Sequence, residues 1–192
     1  MATAGNKLYK LDFIKKHELY FAENVIAEDR LFNLMCYVNN PLIYVVNEYT
    51  YIYNIIENSR SRSITKNFYE ENIAILHYFY KYLKNEQIFE ENIELFQLNT
   101  MFDIYKIINT SFKYSKQKYD FTLNIIKKLK KDMLIYDTAL SVIKKKKYKK
   151  FLRMDRYLKI FMINYIFIKS PFLIIIIKFI SYYIRKLKFT SK

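Results

Sequence analysis

Glycine is almost missing from this sequence: Gly5 is the only one in 192 residues. Phosphate-cradling loops need glycine, because the backbone must turn sharply and approach a pyrophosphate closely. Gly5 has no strand before it, so a loop of that kind is excluded. No Asp-x-Asp occurs anywhere, which removes the obvious acidic pair for a metal-bound nucleotide. A self-sufficient nucleotide-binding half is therefore not expected. Cys36 is the single cysteine, so no intrachain disulfide can form, and a reducing compartment is the natural setting. The N-terminal stretch MATAGNKLYK lacks the apolar run of a signal peptide. With two prolines and one glycine, the chain also offers few punctuation marks by which helices can be bounded.

What is present is apolar, aromatic and basic. Hydrophobic residues make up 52% and aromatics 19%, too rich for a disordered chain. The length suits one domain with a real core. Lys, Ile, Asn, Tyr and Phe are residues that AT-rich coding sequence over-supplies, so part of the basic excess has a compositional source. Charge is unevenly spread. Residues 1–100 carry 10 Lys+Arg against 13 Asp+Glu, whereas residues 101–192 carry 23 against 5. A basic, apolar rear calls for an anionic partner, either nucleic acid or a membrane surface.

Periodicity predicts a short helix over 7–17 with Leu8, Leu11 and Ile14 on one side. A second helix is predicted to start at Glu28, where Glu28 and Asp29 place two carboxylates against the positive end of the helix dipole. Its stripe is Leu31, Leu34, Met35 and Val38, and Asn39-Asn40-Pro41 ends it. The β-branched run Leu42–Val46 fits a buried strand, Tyr49–Ile55 a second strand, and Glu57–Lys66 a polar loop. Residues 67–84 form a helix on Tyr69, Ile73, Leu76, Tyr80 and Leu83, and two or three more helices are expected between Glu86 and Leu140. After the basic run Lys144–Lys150 come two apolar segments, Tyr157–Ile168 and Phe172–Ile184, split by Lys169-Ser170-Pro171.

Several motifs in the front of the chain occur in a telling order. Asn6-Lys7-Leu8-Tyr9-Lys10 with Asp12-Phe13-Ile14, then Leu19-Tyr20-Phe21, then Glu28-Asp29-Arg30-Leu31-Phe32 resembles the acceptor-side segment of a bacterial family 2 glycosyltransferase. Leu42–Val46 is similar to the strand that follows in that family, and Tyr51-Ile52-Tyr53 to its tyrosine-rich strand. About a third of the chain is covered. The resemblance implies a GT-A architecture for 1–66 (partial catalytic domain); with the helical periodicity of 67–143 (helical extension) and the basic, apolar 144–192 (membrane-associating helices), the expected fold class is an α/β fragment, mostly α. It implies sugar transfer from a nucleotide-sugar donor to a saccharide or lipid-linked acceptor in cell-surface polysaccharide or glycolipid synthesis.

Inverting transfer of this kind needs a group to take the acceptor hydroxyl's proton, and the resemblance assigns that general base to Asp29, with Glu28 supporting. On an ideal helix Asp29 lies nearly opposite the apolar stripe, free to face a cleft. A helix cap alone is the plainer use of both carboxylates. Arg60 and Arg62 suit phosphate contact or a solvated loop, and Tyr51 and Tyr53 suit stacking on a sugar ring or core packing. His17, His77 and Cys36 are expected to be structural. The family uses Mg²⁺ or Mn²⁺ with the nucleotide sugar, held by an Asp-x-Asp in a preceding Rossmann-like half. Only five residues precede Asn6, so the expectation is a truncated chain, inactive alone, or one served by a separate donor-binding half.

For the rear, neither apolar segment reaches the roughly 20 residues of a spanning helix. Polybasic residues beside aromatic-rich stretches suit helices lying on an anionic leaflet, placing the protein in the cytoplasm, peripheral to the inner face of the cell membrane. One tilted span broken at Pro171 and a buried helical core are the other readings. The alternatives in function are a non-catalytic membrane- or partner-binding remnant and, behind it, a basic nucleic-acid-binding protein. No nucleic-acid-reading motif accompanies the charge, so no nucleic-acid partner is expected.

Overall fold

A computed structural model describes residues 4–23, 25–48, 52, 65, 67–114, 118–145, 160, 162–165, 167, 169 and 173. Among the described residues all regular secondary structure is α-helical. The order is α1 (Leu11–Lys16), α2 (Glu28–Val38), α3 (Phe68–Asn85), α4 (Ile93–Tyr114), α5 (Lys118–Lys131) and α6 (Met133–Lys145). The chain divides into two compact units, Met1–Phe96 and Gln97–Lys192.

Scarcity of glycine is visible at the helix ends. A helix terminates most easily when the residue after its cap adopts the left-handed conformation, and glycine is the usual occupant. Here Glu18, Asn40 and Gln87 fill that place with φ of 48, 52 and 58°. After α1, the Leu19 amide donates to the Ile14 carbonyl at 3.0 Å and the Glu18 amide to Lys15 at 3.2 Å. The same pair closes α3, from Ile88 to Leu83 at 3.0 Å and from Gln87 to Lys84 at 3.1 Å. Helix α2 keeps only the inner bond, Asn40 to Tyr37 at 3.2 Å, because the next residue is Pro41 and has no N–H to give.

In the first unit, α2 packs on α3. The predicted stripe Leu31, Leu34, Met35 and Val38 is buried, and Phe32, Asn33 and Cys36 are buried with it, so α2 is covered on more than one side. Asn39 joins the two helices: its Nδ2 donates to the Tyr82 hydroxyl at 2.7 Å and to the Met35 carbonyl at 2.8 Å. Along α3 the buried set is Phe68, Ile73, Ile75, Leu76, Phe79 and Leu83. Tyr69 and Tyr80 of the predicted stripe are half-buried at its margin. Phe79, Tyr80, Phe89 and Phe96 form an aromatic cluster with ring separations of 5.1–6.3 Å. The Lys84 ammonium sits 4.1 Å from the Phe89 ring centre.

Two expectations for this unit need correction. The predicted apolar side of α1 is not buried: Leu8 and Leu11 are exposed, and α1 buries no residue. More consequentially, Leu42–Val46 is not a buried strand. All five side chains are exposed, from 54% at Ile43 to 83% at Val45, and among the described residues none of their backbone groups makes a hydrogen bond. High β-propensity makes a strand only where a second strand supplies the ladder, and no second strand is found among the described residues. The GT-A, α/β part of the expected fold class is thus without a sheet there, while the mostly-α part holds. The second predicted strand falls outside the described residues except for Ile52.

The second unit is a helical bundle. Its core holds Met101, Ile104, Ile107 and Ile108 of α4, Ile125, Ile126 and Leu129 of α5, and Ile135, Ala139 and Val142 of α6. A single residue, Asp132, separates α5 from α6, and its Oδ1 accepts the Ile135 amide at 3.3 Å as an N-cap. Buried polar groups run through this core. Gln97 donates to Ser141 at 3.0 Å, and the Ser111 and Thr122 hydroxyls meet at 3.1 Å. Described positions between 160 and 169 are helical. Ile160, Asn164 and Phe167, at helical spacing, are buried, whereas Met162 and Tyr165 are exposed. Asn164 Nδ2 donates to the Met101 carbonyl at 3.1 Å, and Phe167 lies 6.3 Å from Tyr136. One face of the first rear apolar segment is therefore core, which is the buried-core alternative for these residues. The second segment, apart from Leu173, and the run Lys146–Lys150 with Arg153 and Arg156 lie outside the described residues. Among the described residues no helix is long and apolar enough to cross a membrane.

Candidate functional site

Helix α2 carries the predicted base, and its start is forced rather than relaxed. Ala27 precedes the first turn with φ 66° and ψ 41°, the left-handed region, which costs a non-glycine residue about 1 kcal/mol. Its carbonyl nevertheless accepts the Arg30 and Leu31 amides at 2.9 and 3.1 Å, so the turn closes at once. Glu28 and Asp29 then occupy the first turn, where the exposed amide dipoles favour negative charge. Glu28 points to solvent and Asp29 is half-buried. The two carboxylates of the predicted pair thus separate, with only Asp29 in a position to meet other groups of the fold.

What lies over Asp29 is the chain's own N-terminal stretch. The Ala4 amide donates to Asp29 Oδ2 at 3.2 Å, and the Lys7 amide donates back to the Ala4 carbonyl at 3.2 Å, giving a tight turn. Five residues after Ala4, the Tyr9 hydroxyl donates to Asn33 Oδ1 at 2.8 Å. Asn33 is one helical turn beyond Asp29, hence on the same face of α2. The Tyr9 ring meets Phe32 edge-on at 5.1 Å, and Phe21 stacks on Phe32 at 4.2 Å. The face of α2 expected to border a cleft is therefore covered by the chain's own Ala4 and Tyr9, with Asn33 buried.

The electrostatics follow from this packing. Burial pushes the Tyr9 hydroxyl up to about 12, with smaller contributions from Cys36, Asp29 and Tyr37, so Tyr9 stays a neutral donor. Burial likewise raises the Cys36 thiol to about 11, which makes it an inert core group, in line with its structural role in the sequence. Asn33 is 3% exposed, and its Nδ2 has no hydrogen-bond partner among the described residues. A buried amide N–H left in that state costs on the order of 1–3 kcal/mol.

The Tyr9 hydroxyl and Asn33 Oδ1 thus satisfy each other, and Asp29 accepts from the Ala4 amide. Sequence reasoning found Asp29 but assigned no part to Tyr9 or Asn33. The i, i+4 spacing of Asp29 and Asn33 was the available signal, whereas the bond from Tyr9 spans 24 residues and has no local signature. Arg60, Arg62, Tyr51 and Tyr53 lie outside the described residues. His17 packs against Phe13 with ring centres 4.7 Å apart and planes tilted by 53°, and His77 is exposed on α3. Among the described residues no group of three or more His, Cys, Asp or Glu side chains gathers to hold a metal ion. With no Asp-x-Asp in the sequence, the described residues do not fit a metal-bound donor diphosphate. No family model, curated protein or solved structure matches the chain.

Proposed function

We propose that this chain is the acceptor-side part of a family 2-like glycosyltransferase of GT-A type, acting in cell-surface polysaccharide or glycolipid synthesis, with Asp29 as general base. The observation that carries the reading is the half-buried Asp29 carboxylate in the first turn of α2, beside Tyr9 and Asn33. In transfer, the acceptor oxygen attacks the anomeric carbon as its proton passes to the carboxylate, and the bond to the nucleotide diphosphate breaks with its electron pair. On this reading the acceptor reaches Asp29 by displacing the Ala4 amide, while the buried Asn33 holds the Tyr9 hydroxyl in place. The donor and its metal belong to groups outside this chain's described residues, and a separate donor-binding half is the partner this reading asks for.

Two measurements test it. Titration of the isotopically labelled chain with bacterial saccharides should shift the amide signals around Asp29 and Asn33. Membranes of its own cells, as the source of the donor-binding half, supplied with the chain, radiolabelled nucleotide sugars and a lipid-linked acceptor should show transfer that Asp29→Asn lowers about 10²–10⁴-fold, with saccharide binding little changed. Transfer that survives Asp29→Asn removes the base assignment, and a chain that binds no saccharide removes the reading.

A second reading is a non-catalytic remnant that binds a membrane or a partner. The Ala4 amide on Asp29 Oδ2 favours it, since that oxygen is already used by the chain itself. For either reading we place the protein in the cytoplasm at an anionic membrane face, on the charge of residues 101–192. Cosedimentation with anionic vesicles that is reversed by salt is the expected result. Binding to nucleic acid in place of vesicles would favour the third reading, a basic nucleic-acid-binding protein.

A further inference from the structure

The segment Leu42–Val46 is an exposed apolar run that the proposed site does not use. Five consecutive apolar residues, three of them β-branched, follow the end of α2 in an exposed position. Their amides and carbonyls are unpaired among the described residues. Proteins normally blunt such an edge with lysine, proline or inward charge, because it is a template for another strand. Here nothing charged occurs between Arg30 and Glu48, and the only blunting device is Pro41 at one end.

We propose that Leu42–Val46 is a strand-addition surface whose partner is the same segment of a second copy of this chain, paired antiparallel about Tyr44. The sequence is matched to itself in that register. Leu42 faces Val46, Ile43 faces Val45 and Tyr44 faces Tyr44, so every opposed pair is apolar, and β-branched and aromatic pairs are the ones that stabilise antiparallel strands. No like charges are brought together, since Glu48 falls opposite Asn40. The contact is isologous and closes on two copies. Pro41, with no N–H, limits the ladder to a few residues. Five residues from each copy fall well short of the roughly 20–30 residues a side of a standard interface, so the association is reversible and concentration-dependent. This inference does not depend on Asp29 or on sugar transfer.

The register makes the test specific. Sedimentation velocity of the full chain should show a monomer–dimer equilibrium that shifts with concentration. Val45→Pro should raise the dissociation constant about tenfold or more by removing a ladder donor and fixing φ. Because Val45 is 83% exposed, this change leaves the helices intact, which circular dichroism checks. Tyr44→Cys should cross-link to itself under mild oxidation, since residues opposite each other have Cα atoms about 4.5–5.5 Å apart, within disulfide range. Leu42→Cys should not cross-link to itself but should do so when mixed with Val46→Cys. Leu8→Cys, fully exposed, gives the background rate, and the buried Cys36 contributes none. A chain that stays monomeric at all concentrations overturns the proposal. So does a dimer that is indifferent to Val45→Pro, or one in which Leu42→Cys cross-links as fast as Tyr44→Cys.

Discussion

Two apolar stretches of similar composition meet opposite fates in this molecule. Leu42–Val46, in the first unit, reads as a buried strand and is exposed along its whole length. The stretch from Ile160 to Phe167, in the second, reads as a headgroup-facing helix, yet Ile160, Asn164 and Phe167 are buried among helices. The difference lies in what each secondary structure demands. A helix satisfies its own backbone and needs only one apolar stripe and a neighbour to cover it. A strand needs a partner's amides and carbonyls before its side chains matter at all. Hydrophobicity alone therefore decides the fate of neither stretch, and backbone pairing decides both.

The sharpest way to break the comparison is to truncate a side chain in each. Phe167 is fully buried against Tyr136, so Phe167→Ala should destabilise the second unit by about 3–5 kcal/mol. Tyr44→Ala, in the exposed run, should change the stability of the monomer by no more than about 0.5 kcal/mol. Urea denaturation followed by circular dichroism, at a concentration low enough to keep the chain monomeric, measures both. Equal losses at the two sites would mean that the exposed run is covered in solution within one chain.

How much of this was legible in the sequence depends on which interactions are local. The start of α2 at Glu28, its stripe from Leu31 to Val38 and its end at Asn39-Asn40-Pro41 were all readable, because periodicity, helix dipole and proline act within a few residues. The stripe of α3 was read nearly in phase: Ile73, Leu76 and Leu83 are buried, although Phe68, Ile75 and Phe79 share the burden with them. The Leu42–Val46 error came from propensity, which says what fits a sheet and not whether a sheet is there. At the candidate site, Asp29 was legible and its surroundings were not. Tyr9 to Asn33 and Ala4 to Asp29 are contacts across 24 and 25 residues, which no window of sequence contains.

Tyr9 offers a second, smaller effect in the first unit. Tyr9→Phe removes the hydroxyl that donates to Asn33 Oδ1, in a buried amide whose Nδ2 already has no partner among the described residues, for an expected loss of about 1–2 kcal/mol. Its pH dependence is distinctive. The hydroxyl is raised from its ordinary 10.0 to about 12 in the folded chain, so the folded state holds the proton more tightly than the unfolded one. The corresponding stability is fully present below pH 10.0 and is lost as pH rises towards about 12. Wild type should lose stability across that window more steeply than Tyr9→Phe. Parallel curves would place Tyr9 in solvent and dissolve the cluster around Asn33.

The smallest effects test the glycine shortage and run in the stabilising direction. Ala27 and Gln87 both hold positive φ, at 66 and 58°, without the side-chain freedom from clash that glycine would give. Replacing either by glycine relieves the contact between Cβ and backbone in the folded state but adds entropy to the unfolded chain. The two terms oppose, so the net gain should be below about 1 kcal/mol at each site. Gln87→Gly should be the cleaner gain, because Gln87 is exposed and the bonds it helps to place, from Ile88 to Leu83 and from itself to Lys84, are made by backbone alone. Ala27→Gly acts at the start of α2, so it relaxes the turn that presents Asp29 while it stabilises the helix. If saccharide binding weakens as thermal stability rises in Ala27→Gly but not in Gln87→Gly, the strain at Ala27 serves to hold Asp29 in place. If both variants gain stability with binding unchanged, that strain is only the cost of ending and starting helices with a single glycine in the chain.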